Sequence, residues 1–305
     1  MSNDHAGGGH AHGPANYSKA FAIGIALNLA FVVVEGLFGI RAGSLALLAD
    51  AGHNLSDVFG LVLAWVAAIL ARRPPTPNRT YGMRRASVLA ALANALLLLV
   101  AIAVIAWEAV GRLSHPEPVA GRLVMLVAGV GIVINAATAL LFMSGRKGDL
   151  NVRGAFTHMA ADAIVSGGVV AAGFAMSITG LPWLDPAMSL LIVLVIAVGT
   201  WGLLRDSANL AMDAVPPGID PAAVEAHLRK VDGVTEVHDL HIWGMSTTES
   251  ALTVHLVRPH VDDDDTLLFS LYKALHDEFG IEHPTVQIEG GHGPHGCKLS
   301  PSDIV

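Results

Sequence analysis

The chain carries a single cysteine, Cys297, among its 305 residues, so it can form no internal disulfide and no thiolate-rich metal cage. Charge is scarce as well: Asp, Glu, Lys and Arg make up 14% of the chain, and the net charge is −8. A nucleic-acid partner needs a basic stripe, so that class is excluded. The H-E-x-x-H pattern of zinc proteases is also absent, and no catalytic role is expected. Residues 1–17 contain His5, His10 and His12 among Gly and Ala, with no apolar stretch leading to a cleavage site. They are expected to form a histidine-containing tail rather than a signal peptide.

What the chain has in excess is apolar residues, 53% of the total, with a mean hydropathy of +0.55. They gather in long, nearly uncharged runs, each able to cross a hydrocarbon core about 30 Å thick. Six spans are predicted, at about 18–40, 44–70, 86–110, 119–142, 152–178 and 183–204, within a membrane domain covering 18–208. Cationic residues sort by side. Lys19, Arg72, Arg73, Arg79, Arg84, Arg85, Arg146, Lys147, Arg153 and Arg205 fall on one side, against Arg41, Arg112 and Arg122 on the other. The positive-inside rule then puts both termini in the cytoplasm.

Ionisable residues interrupt these spans, and charge inside a bilayer costs about 3 kcal/mol even on the cheaper scales. The second span holds Asp50, His53 and Asp57; the fifth holds His158 and Asp162; Glu35 and Glu108 stand singly in the first and third. Residues four apart share one helix face, so His53 with Asp57, and His158 with Asp162, can each converge on an ion. One such pair alone reads equally well as a polar contact between helices. Two copies with one spacing favour metal. Two imidazole nitrogens and two carboxylates suit tetrahedral zinc and cancel its charge. Imidazole titrates near neutral pH and must be neutral to bind metal, so protons should compete with the ion and antiport follows. Small residues around both pairs, among them Ala49, Gly52, Ala160, Ala161 and Gly167, would let two helices approach closely.

After residue 208 the pattern shortens. Helices are predicted at 221–231 and 266–279, and strands at 234–242, 252–257 and 285–288, giving an αββαβ domain over 209–289. The Asp262–Asp265 cluster suits the start of the second helix. His238, His241, His255 and His283 gather in this domain with Glu289, and residues 290–305 form a second tail with His292, His295 and Cys297.

Three segments carry a family resemblance: SLALLADAGHNLSD at 44–57, TYGMRR at 80–85 and HMAAD at 158–162. They resemble the cation diffusion facilitator family, and within it the bacterial zinc, cadmium and cobalt efflux transporters. The resemblance implies a six-helix inner-membrane transporter, working as a homodimer, with a C-terminal cytoplasmic metallochaperone-like domain. It implies proton-coupled antiport of divalent metal, zinc first, from the cytoplasm to the periplasm or outside. His53, Asp57, His158 and Asp162 fall on its transport-site motifs. A regulatory metal site is implied at comparable positions in the domain, foremost His241, His255, His283 and Glu289, with His238 and Cys297 as further candidates. The loop at 72–79 lacks the His and Asp ligands that some members carry there. The alternative function is a membrane metal sensor or scaffold without net transport. Asp50 is expected either to orient His53 or to cap backbone near water, while Glu35, Asn28 and Asn135 are expected to serve packing or cavity lining. Asp185 is expected to lie solvated in a loop.

Overall fold

A computed structural model describes residues 18–71, 73–143, 150–259, 264–291 and 297. Six long helices come first: α1 (Ser18–Ala42), α2 (Leu45–Ala71), α3 (Ala86–Ser114), α4 (Gly121–Phe142), α5 (Leu150–Thr179) and α6 (Leu184–Ala211). Backbone polar groups in hydrocarbon must be satisfied within the segment, and a helix does this locally. Among the described residues, four of these helices are long and apolar enough to cross a membrane: Ala86–Ser114, Gly121–Leu141, Phe156–Thr179 and Leu184–Ala211. Their outward faces are apolar. Trp107 is 83% exposed, Ile164 76% and Val198 70%, a surface suited to lipid rather than water.

The chain divides into two compact units, Met1–Val58 with Leu98–Ala197, and Phe59–Leu97 with Val198–Val305. The first has a core of Phe31, Leu47, Leu98, Val124, Val169 and Ile192. Glycine decides how α4 and α5 meet. A Cβ on Gly173 would lie 2.9 Å from the Gly121 carbonyl oxygen and 3.0 Å from the Met125 nitrogen, both backbone atoms that cannot rotate away. Gly173→Leu is therefore expected to force the two helices apart, read as a loss of monodisperse protein in size-exclusion chromatography.

The turn between α1 and α2 is built with similar care. Gly43 takes φ +67°, and Ser44 N donates to Gly39 O at 3.0 Å, closing α1 with a left-handed cap. Ser44 then caps α2, accepting from Leu47 N at 3.2 Å. Asp185 completes this cap from the start of α6: its carboxyl accepts from Ser44 Oγ at 2.5 Å and from Leu45 N at 2.7 Å. Asp185 is thus fully buried, not solvated in a loop as expected. Its neighbours Leu184 and Pro186 give no hint of this, because its partners lie some 140 positions away in the chain.

The second unit ends in the α/β domain: α7 (Pro221–Leu228), β1 (Glu236–Gly244), β2 (Ser250–Val257), α8 (Asp264–Phe279) and β3 (His283–Glu289). The αββαβ order matches the sequence reading. β1 pairs antiparallel with β2, and β2 pairs parallel with β3. Leu228, Leu252, Leu256, Leu275 and Ile281 form its core. Asp220 caps α7 by accepting from Ala222 N at 3.0 Å, with Pro221 at the first helical position. Of the Asp cluster expected at the next helix start, α8 begins at Asp264, and Asp262 lies outside the described residues.

Candidate metal centres

The first unit brings all four expected membrane ligands together. His158 Nε2 lies 3.1 Å from Asp57 Oδ2 and 3.5 Å from Asp162 Oδ2. His53 Nε2 lies 3.7 Å from both Asp57 Oδ2 and Asp162 Oδ1. The two rings meet edge to face, with centroids 5.9 Å apart. Each helix supplies one imidazole and one carboxyl group at i and i+4, as the spacing requires. Two of the four contacts nevertheless run between α2 and α5, and the shortest is one of these.

The dimensions suit a small cation. Four ligands bonded at about 2.0–2.1 Å in a tetrahedron stand roughly 3.3 Å from one another. The four imidazole–carboxylate separations, 3.1 to 3.7 Å, lie near that length. His53, His158 and Asp162 each place one donor atom within 4.8 Å of the others; Asp57 reaches both imidazoles but lies outside that mutual group. Donor capacity is also left over: among the described residues, Asp162 Oδ2 and His53 Nδ1 are buried without a hydrogen bond. Access is graded across the site. The Asp162 side chain is 3% exposed, whereas that of His158 is 40% exposed, so an ion could arrive from one side and leave most of its water behind.

A ring of buried polar groups backs this centre. Asp50 Oδ2 accepts from Ser166 Oγ at 3.1 Å, one turn beyond Asp162 on α5. Asp50 therefore ties α2 to α5, instead of capping backbone near water. Glu35 on α1 is wholly buried and faces Asp50 and Asn54. Asn28 Nδ2 donates to the sulfur of Met159, the residue after His158, at 3.6 Å. Nothing local in the sequence marks Ser166, because its partner Asp50 lies 116 positions away.

The α/β domain holds a second group. His238 on β1, His255 on β2, Glu289 on β3 and Cys297 place one ligand atom each within 4.8 Å of all the others. His255 Nδ1 lies 2.9 Å from Glu289 Oε1 and 3.5 Å from Cys297 Sγ, and His238 Nε2 lies 3.7 Å from Glu289 Oε2. Both ring nitrogens of His238 are buried without a hydrogen bond among the described residues. Asp239, 3.5 Å from His255 Nε2, orients that ring from behind.

His241 and His283, both expected foremost in this site, are not brought to it. His241 Nε2 turns to Asp239 at 2.9 Å, and His283 Nε2 sits 3.2 Å from Arg84 Nη1. For His241 the cause is a bulge in β1 between His238 and His241, where Asp239 adopts φ +52°, whereas His283 pairs with Ala251 at the far end of β3 from Glu289. Cross-strand pairing sets His238 directly opposite His255. The tail residues His5, His10, His12, His292 and His295 lie outside the described residues.

Two imidazoles and two carboxyls gathered among apolar helices, in a chain that also carries a small α/β domain with a donor cluster, are the features of a membrane cation transporter. Residues 21–210 match the cation efflux transmembrane domain, and residues 216–290 match the cation efflux protein cytoplasmic domain. The chain belongs to the cation efflux family, which bears out the resemblance read from its motifs. Among its relatives, the metal cation efflux system protein CzcD of Cupriavidus metallidurans is 37% identical over 93% of this chain and 90% of that protein. The zinc transporter ZitB of Escherichia coli is 36% identical over 93% and 92%. The cadmium, cobalt and zinc/H(+)-K(+) antiporter of Bacillus subtilis is 33% identical over 92% of each. This chain is accordingly a multi-pass membrane protein of divalent metal efflux.

Proposed function

We propose that the protein exports zinc from the cytoplasm in exchange for protons, across the inner membrane, through His53, Asp57, His158 and Asp162. The observation that carries this reading is that His53, His158 and Asp162 each offer one donor atom within 4.8 Å of the others, with Asp57 3.1 Å from His158 and 3.7 Å from His53. Zinc is favoured over magnesium or calcium because two of the four donors are imidazoles. Two carboxylates balance the dication. Once it leaves, they face a poorly solvated site, so protons return and the empty carrier can reorient without net buried charge. All six long helices span the bilayer in this reading, with both termini cytoplasmic, and the carrier works as a homodimer.

Reconstituted vesicles with an acidic lumen are expected to take up zinc and lose their pH gradient together. Zinc uptake unaffected when an ionophore has already dissipated the gradient would overturn the antiport. Competition with cadmium and cobalt in the same vesicles ranks the metals.

The same reading gives the cytoplasmic domain a regulatory metal held by His238, His255, Glu289 and Cys297. One ligand atom of each lies within 4.8 Å of all the others, and the buried His238 ring, with neither nitrogen in a hydrogen bond among the described residues, lies 3.7 Å from Glu289. His238→Ala is expected to remove one class of bound zinc in equilibrium dialysis and to spare the other. His241→Ala and His283→Ala are expected to retain both.

A further inference from the structure

Three of the four cytoplasmic ligands are held by the sheet, one on each strand. Cys297 is different. It lies outside every helix and strand, is half-buried, and supplies the only sulfur among nitrogen and oxygen donors. It is also the chain's only cysteine. The cluster therefore consists of a rigid three-donor face closed by one soft donor that solvent can reach. Such a donor can be changed chemically without disturbing the strands.

We propose that Cys297 is an oxidisable ligand: reaction of its sulfur with hydrogen peroxide weakens metal binding at the cytoplasmic cluster and so links its occupancy to peroxide. This rests on the regulatory-metal reading above. A metal ion, when bound, keeps a ligating thiol in its thiolate form. The thiolate attacks one peroxide oxygen. A sulfur–oxygen bond forms as the oxygen–oxygen bond breaks, and the departing hydroxide takes up a proton to become water. Sulfur loses two electrons, peroxide gains them, and the product is a sulfenic acid. The soft anionic donor is then gone. His238, His255 and Glu289 remain, one donor short of a closed tetrahedral site. With no second cysteine in the chain, the sulfenic acid cannot be captured as an internal disulfide, so an external thiol restores it.

The test uses the full chain in detergent, reduced and loaded with zinc, as wild type, Cys297→Ser and His238→Ala. A chromophoric chelator follows released zinc, and intact mass after trapping with a dimedone-type reagent follows Cys297. The wild type is expected to release zinc on peroxide addition, in step with the adduct trapped in parallel aliquots, and the untrapped protein is expected to rebind it after dithiothreitol. Cys297→Ser is expected to bind the cytoplasmic zinc at least about tenfold more weakly and to show no further loss with peroxide. That variant keeps all nine methionines, so it separates thiol from thioether oxidation. A fully trapped Cys297 with zinc still bound would overturn the proposal, as would equal affinities for wild type and Cys297→Ser. If reduced wild type and His238→Ala bind the same zinc, the regulatory-metal reading itself fails and this inference with it. Zinc-binding wild type that ignores peroxide refutes the inference alone.

Discussion

His158→Ala is expected to lower zinc flux in reconstituted vesicles by at least about a hundredfold, while the protein still elutes as a folded species and still binds zinc at its cytoplasmic domain. Outer-shell substitutions at metal sites commonly cost 10–100-fold, and this change removes a direct donor. It also acts on two carboxyl groups at once. His158 Nε2 is 3.1 Å from Asp57 and 3.5 Å from Asp162, so its loss takes the nearer imidazole from both and leaves only His53, 3.7 Å from each. Asp57→Asn should behave alike for a different reason: it keeps the size and the oxygen but removes half the charge that balances the dication. A site used only for helix packing would tolerate that near-isosteric change. Flux within about twofold of wild type for both variants would sink the transport-site assignment. Ser166→Ala gives the graded control. It removes the hydrogen bond to Asp50 but no ligand, so a smaller loss is expected than for either ligand variant.

The second large effect concerns stability. Asp185→Ala is expected to destabilise the protein by about 3 kcal/mol, because it strands a buried hydroxyl and a buried backbone N–H together. Ser44 and Asp185 are both fully buried, so water does not replace the lost acceptor. The effect reaches beyond one bond. Ser44 Oγ also caps α2, and Arg112 Nη1 donates to the Gly43 carbonyl at 2.7 Å in the same turn. The α1–α2 turn, the end of α3 and the start of α6 are thereby fastened at one point. A fall of roughly 6–10 °C in melting temperature is expected for the purified protein. Asp185→Asn keeps one of the two oxygen acceptors and should recover only part of the loss. An unchanged melting temperature for Asp185→Ala would show that the cap is dispensable. Since Asp185 is far in sequence from every metal ligand, the folded fraction of this variant should keep its zinc stoichiometry.

Local patterns in the sequence determined which segments become helices, because an apolar run in lipid has no other way to satisfy its backbone. They likewise determined the αββαβ order, since alternation and helical periodicity are read within a few residues of one another. The i, i+4 spacing of His53 with Asp57 and of His158 with Asp162 placed each pair on one face for the same local reason. Tertiary structure decided which pairs actually meet. The tightest contact in the membrane centre, His158 to Asp57, joins two helices, and only the packing of α2 against α5 sets their rotation and depth. Asp185 read as a solvated loop residue because its partners, Ser44 and Leu45, are remote in sequence. In the cytoplasmic domain, strand identity was legible but register was not: one bulged residue, Asp239, turns His241 away and leaves His238 opposite His255. A slip of one position moves a side chain to the other face of a strand, and no composition rule foresees it. Cys297 stood in the sequence as a tail thiol and a further candidate for the cytoplasmic metal site. Its closeness to His255 Nδ1, 3.5 Å, is a fact of the folded chain that puts its sulfur beside the other candidate donors.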